Sequence, residues 1–76
     1  MVERTNSSDS LRILLRQQRT GLYLQASGEW GGNRDSAKGF EDSIMACAWA
    51  KEQNVIGANV LMALGEEQYD VVLARV

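Results

Sequence analysis

The chain has 76 residues, of which 45% are hydrophobic and 24% are charged, and its formal net charge is −2. This composition is typical of one small globular domain rather than of a disordered tail, and a chain of this length buries only about 60% of the surface that its unfolded form exposes. Histidine and proline are absent and Cys47 is the one cysteine, which excludes an internal disulfide and the zinc sites that need several Cys or His ligands.

The start of the chain, MVERTNSSDS, lacks the apolar core of a secretion signal. Nowhere does the sequence approach the roughly 20 apolar residues of a membrane-spanning helix. A lone cysteine favours a reducing compartment, so we expect a cytoplasmic protein outside the membrane. Residues 1–9 are polar and without periodicity, and they are predicted to be a flexible lead-in to a single domain at residues 10–76.

The first predicted element is a β-hairpin that starts near Leu11. Its first strand, LRILLRQQ, alternates apolar and polar residues with Leu14 as the one exception, which is typical of a half-buried strand. A turn is predicted at residues 19–21, where Gly21 is free to take a positive φ angle. The second strand, GLYLQAS, alternates again, and two strands joined by so short a turn run antiparallel.

A long connection, GEWGGNRDSAKG, follows the hairpin. Loops of about a dozen residues are often functional, and glycines let backbone N–H groups approach phosphates. The spacing matches neither the G-x-x-x-x-G-K-S/T phosphate loop nor the G-x-G-x-x-G dinucleotide fingerprint. Gly28, Gly31 and Gly32 are followed by residues 33–35, Asn-Arg-Asp, and the predicted helix starts several residues later. We therefore expect a turn-forming connection without a cofactor, in which Trp30 is the one residue suspected of a contact.

A single helix is predicted after this connection. Asp42 or Ser43 is a suitable N-cap, and SIMACAWAKEQN consists mostly of strong helix formers. Asn54 and Gly57 bracket its end, because both residue types tolerate the left-handed conformation that closes many helices.

The predicted helix has no polar face for two turns. Its apolar side chains form three stripes, which are Ile44 with Cys47 and Ala48, Met45 with Trp49, and Ala46 with Ala50. One helix on one sheet buries a single side, so another side is exposed or covered by a partner. We therefore predict a candidate interface of Met45, Trp49 and Trp30, with homodimerisation as the leading hypothesis. The alternative is that Trp49 packs at the sheet edge, against residues 31–32 or Trp30, and closes a minor second core.

Two further strands complete the predicted fold. The segment ANVLMALG is apolar on both alternating sets of residues, as in a strand that is covered on both faces or central in a sheet. Residues 65–68 form a reversal, and YDVVLARV, which is rich in β-branched residues, is the last strand. The predicted fold is α+β, in the order β-β-α-β-β, with a four-stranded, mainly antiparallel sheet and one helix packed across one face.

Four features occur together between residues 19 and 76: the hairpin sequence TGLYLQ, a Trp-containing loop, a phenylalanine before a capped helix, and a closing QYDVVL strand. In these features the chain resembles a group of small, uncharacterised bacterial proteins. The resemblance implies the same hairpin, single helix and C-terminal strand pair. That group has no established activity, so the resemblance implies no function.

Catalysis is not expected. Cys47 lies among Ala46 and Ala48 in the helix interior, and a chain without histidine offers it no imidazole base, so we expect a buried structural thiol. The carboxylate pairs at residues 41–42 and 66–67 lie at element ends, where solvated charge is the default and the unequal environments of an acid and a base are not expected. We therefore predict a protein that is not an enzyme, with no metal, no cofactor and no small-molecule ligand.

Nucleic-acid binding is the alternative function. Residues 1–40 contain six basic and four acidic residues, whereas residues 41–76 contain two basic and six acidic ones. Arg12 and Arg16 share a face of the first strand, Arg19 lies at the turn, and Tyr23 is predicted to point the same way. Small β modules use such a basic face to bind the backbone and an aromatic ring to stack a base. The sequence pI of about 4.9 is far below that of a typical nucleic-acid binder. A protein-interaction module that binds a protein partner or itself is therefore the leading prediction.

Overall fold

The computed structural model describes residues 11–76, so the lead-in predicted for residues 1–9 lies outside the described part. The described residues form one antiparallel sheet in the spatial order β3-β2-β1-β4-β5, with a single α-helix. The elements are β1 (Leu11–Gln17), β2 (Tyr23–Leu24), β3 (Trp30–Gly31), α1 (Ser43–Glu52), β4 (Ala58–Leu64) and β5 (Val71–Arg75), with short 3-10 turns at Arg34–Ser36 and Glu67–Tyr69. This confirms the predicted α+β class.

The sheet has five strands instead of the predicted four. The extra strand, β3, lies inside the segment that was expected to be only a connection, and Trp30 in it pairs with Leu24 of β2. The chain doubles back between them, with the amide of Gln25 donating to the carbonyl of Glu29 at 2.7 Å. A two-residue strand is too short to produce an alternating pattern, so the sequence carried no signal for it.

The β1–β2 hairpin forms as predicted, and its turn depends on a glycine. Gly21 has a φ angle of +74°, in the region that residues with a Cβ atom rarely adopt. A Cβ atom at this position would also lie 3.2 Å from a guanidinium nitrogen of Arg16. Strand β2 is shorter than the predicted GLYLQAS, because the chain turns toward β3 directly after Gln25.

Helix α1 begins and ends close to the predicted positions. The side chain of Asp42 accepts a hydrogen bond from the amide of Met45 at 2.8 Å, which identifies Asp42 as the N-cap. Beyond the last helical residue, Asn54 adopts a left-handed φ of +59° and reverses the chain toward β4. Ala46 and Ala50 are fully buried, so the backbone of the helix lies close to the sheet.

The close packing of α1 on the sheet predicts that a larger side chain at a buried alanine destabilises the fold. We expect Ala46→Leu to lower the free energy of unfolding by about 1–3 kcal/mol, because the longer side chain must push the helix away from the sheet. Ala48→Leu is the matched control, since Ala48 lies exposed on the same helix, and we expect a change below about 0.5 kcal/mol. Urea denaturation of both variants measures the difference, and equal losses would contradict the packing of α1 on its alanines.

Apolar clusters lie on both faces of the sheet. The cluster beneath α1 is built on Leu15, Leu24 and Val60, and the opposite cluster is built on Leu14, Tyr23, Leu61, Ala63 and Ala37. The second cluster explains why Leu14 interrupts the alternation of β1. The connection before α1 contributes Ala37 to it, so that connection is a packed part of the fold.

Candidate interaction surfaces

The outer side of α1 is apolar and uncovered. Ile44 is 76% exposed and Met45 is 52% exposed, and Ala48 between them along the surface is also exposed. Ile44, Ala48 and Lys51 line a shallow groove of about 310 Å³ together with Ser43 and Cys47. We refer to this feature as the helix groove.

The two tryptophans of the predicted interface are not on this outer side. Trp49 is half-buried and packs against Phe40, with 6.1 Å between the ring centroids and 59° between the ring planes. Trp30 is also half-buried, and both tryptophans border the cluster beneath α1. Trp49 therefore packs in the cluster beneath α1 instead of on the outer side of the helix, and the aromatic ring that it contacts is that of Phe40. Of the three predicted residues, Met45 is the exposed one.

Ile44 is the interface candidate that sequence reasoning did not select. Successive residues of an α-helix are rotated by about 100°, which places Ile44 about 200° from Ala46 and therefore opposite the buried stripe. The signal was present in the sequence but required knowing that the alanine stripe is the buried one.

Of the basic face predicted for the first hairpin, Arg12, Arg16 and Tyr23 lie on the side of the sheet opposite α1. Its guanidinium groups have partners within the protein. Arg12 donates to the carbonyl oxygens of Arg34 and Ala37 at 3.2 and 2.5 Å, and Arg16 donates to the carbonyl of Gly21 at 2.9 Å.

Tyr23 is buried at the centre of this face. The guanidinium carbons of Arg16 and Arg34 lie 5.1 and 5.7 Å from its ring centroid, which is within the range of cation–π contacts. The ring therefore has no free face on which to stack a base. Arg19, at the turn, is the one exposed member of the predicted basic set.

An ion pair that the sequence did not predict joins the two connections on this face. Arg34 donates to both carboxylate oxygens of Asp70 at 2.6 Å each, and also to the hydroxyl of Tyr23 at 3.0 Å. The side chains of Arg34 and Asp70 are only 19% and 7% exposed. The hydrogen bond with Asp70 raises the pKa of Arg34 above its ordinary value, with a smaller contribution from Tyr23. Arg16 forms a second, more exposed pair with Glu67 at 2.8 Å.

A depression of about 510 Å³ on this face is open to solvent. It is lined by Arg16, Asn59, Leu61, Glu67, Gln68, Asp70 and Val72. Its arginine and both of its carboxylates already have partners in the two ion pairs.

Among residues 11–76 no cluster of His, Cys, Asp or Glu is arranged to hold a metal ion, and no helix in that range is long and apolar enough to cross a membrane.

Strand β5 presents a second uncovered apolar surface. It forms one edge of the sheet, and its consecutive residues Val71, Val72 and Leu73 are between 42 and 48% exposed. Tyr69, just before the strand, is also exposed.

Comparison of the chain with protein-family models, with curated proteins and with solved structures found no match.

Proposed function

We propose that this chain is a non-catalytic protein-interaction module that associates with a second copy of itself through the outer side of α1. The observation that carries the proposal is the 76% exposure of Ile44 on the outer side of a helix whose opposite side packs against the sheet through Ala46 and Ala50. Met45 and Ala48 extend the apolar surface around it.

Two physical arguments support this function. Contiguous exposed apolar surface on a small protein generally marks an interaction site, and methionine is among the residues enriched in interfaces. A domain of this size also has a small core, and association with a second copy buries further apolar surface.

The nucleic-acid alternative receives less support from these contacts. Arg12 and Arg16 donate to acceptors within the protein, and Tyr23 is buried with two guanidinium groups close to its ring. Arg19 remains exposed, and one arginine on a chain with a net charge of −2 is a weak electrostatic site for a polyanion.

The test is the molar mass in solution, measured by light scattering over a range of protein concentrations. We expect a mass of twice 8.4 kDa for the unmodified chain. Ile44→Lys should weaken self-association by about 10- to 100-fold, because the interface loses a buried isoleucine worth about 1.5–3 kcal/mol.

Ile56→Lys is the matched control. Ile56 is 87% exposed in the connection between α1 and β4, so the same substitution there leaves the outer side of α1 intact. We expect this variant to remain a dimer, and circular dichroism should show both variants folded. A monomeric mass for the unmodified chain at every concentration would refute the proposal.

A further inference from the structure

The two edges of the sheet differ in how well they are protected. Strand β3 has two residues, and very short edge strands resist pairing with another chain. Strand β5 has five residues, three of them apolar and exposed. It carries a bulge at Leu73, since Val60 pairs with Ala74 whereas Leu61 pairs with Val72. A bulge bends the strand locally but leaves this apolar surface uncovered.

The backbone of β5 offers hydrogen-bonding groups to an additional strand. Val76 exchanges hydrogen bonds with Ala58, at 2.9 and 3.3 Å, so its N–H and C=O point toward β4. Peptide groups alternate in direction along an antiparallel strand, so the N–H and C=O of Arg75, which lies opposite Asn59, point away from the sheet.

The helix groove lies on the same side of the molecule as β5. Helix α1 packs across β1, β4 and β5. One flank of the helix carries Trp49, which contacts Phe40. The backbone amide of Phe40 donates a hydrogen bond to the carbonyl of Ile13 on the side of β1 that faces β2, so this flank points toward β2. The other flank, with Cys47 and Lys51, therefore faces the β5 edge, and Ile44 lies between this flank and the outer side of the helix.

We propose that the second copy is held by antiparallel pairing of β5 with its own equivalent, around a two-fold axis normal to the sheet. This inference rests on the proposed self-association and identifies its geometry. The result is a continuous ten-stranded sheet with both helices on one face and the two helix grooves turned toward each other. Head-to-tail pairing of β5 with β3 would repeat from copy to copy and generate an open filament, whereas the two-fold arrangement closes as a dimer.

The spacing of the elements fits this arrangement. With neighbouring strands about 4.8 Å apart, a helix centred over β4 lies about 7 Å from the axis, so the two helices are about 14 Å apart. The axes of two packed helices are usually about 8–10 Å apart. The long side chains of the groove, Ile44 and Lys51, can fill the additional space between the two helices.

The charges at the two ends of α1 are complementary in the same arrangement. The two-fold axis makes the helices antiparallel, which brings Lys51 in the last turn of one helix near the start of the other. That start carries Glu41 and Asp42. The pairing of opposite charges sets the orientation of the two copies more than their affinity.

The test is a pair of charge variants at Leu73, the central residue of β5, which lies nearest the axis when the strands overlap fully. Leu73→Lys and Leu73→Glu each place two like charges close together at the axis. We expect each variant alone to lose self-association by at least about tenfold, and an equimolar mixture to recover it as a heterodimer at low salt. Analytical ultracentrifugation of each variant and of the mixture measures this.

Hydrogen exchange of the Arg75 amide is a second readout that needs no substitution. In the paired state this outward N–H gains an acceptor, so its exchange should slow by about tenfold or more as the protein concentration is raised through the dimerisation range. Exchange that is independent of concentration in a protein whose mass doubles would refute the β5 pairing.

The outcomes separate the two proposals. A monomeric unmodified chain removes both. A dimer that is broken by Ile44→Lys but unaffected by either Leu73 variant leaves the function in place and overturns the β5 geometry, as does a mixture of the Leu73 variants that remains monomeric.

Discussion

Asp70→Ala is expected to lower the free energy of unfolding by about 3 kcal/mol or more. The substitution leaves the guanidinium of Arg34, which is 19% exposed, without its two 2.6 Å hydrogen bonds to the carboxylate. Removing one partner of a buried ion pair is costly because the remaining charge is desolvated and unpaired. A domain of 76 residues has a small total stability, so this loss is a large part of it. Urea denaturation provides the measurement.

Glu67→Ala is the matched control for this prediction. Glu67 lies in the same connection between β4 and β5 and also pairs with an arginine beside Tyr23, but its side chain is 57% exposed. An exposed pair contributes about 0–1 kcal/mol, so we expect a small change. Similar losses for the two variants would show that the Arg34–Asp70 pair does not hold the two connections together.

Leu15→Ala is expected to lower the free energy of unfolding by about 3–5 kcal/mol. Leu15 is fully buried between the sheet and α1, and deletion of its side chain leaves a cavity in the cluster with Leu24 and Val60. Thermal or urea unfolding, followed by circular dichroism, reports the loss directly.

Leu11→Ala is the control for the core prediction. Leu11 lies on the same strand and on the same side of the sheet, but it is 54% exposed at the end of β1. We expect it to cost less than about 1 kcal/mol. If both substitutions cost the same, the cluster beneath α1 would not be the main core of the protein.

These stability predictions bear on the proposed function because β5 depends on both features. One side of β5 pairs with β4, whose Val60 lies in the cluster beneath α1. Strand β5 begins directly after Asp70. The ion pair between Asp70 and Arg34 links this point to the connection before α1. Variants that are designed to weaken self-association, such as Leu73→Lys, therefore need a control that shows they are folded. Ala46→Leu and Leu15→Ala are expected to change the stability of the fold more directly than self-association.

The elements that arise from local interactions could be predicted from the sequence. The alternation of β1, the positive φ of Gly21, the cap at Asp42 and the left-handed Asn54 are each set by residues within a few positions along the chain. Their physical causes are the two-residue period of a strand, the steric cost of a Cβ atom and the unsatisfied amides at a helix start. For the same reason the α+β class could be predicted before any contact was known.

The features that join distant parts of the chain depend on tertiary contacts. Arg34 and Asp70 are 36 residues apart, and nothing in the local pattern around either one indicates the other. Tyr23 is buried beneath Arg34 from the connection before α1 and beside Arg16 of β1, and the two-residue strand at Trp30 exists only because β2 is beside it. Likewise, all three stripes of α1 are apolar, and packing against the sheet determined that Ala46 is buried while Ile44 and Met45 are exposed. Such choices depend on which surfaces meet in three dimensions, and periodicity along one chain does not encode that information.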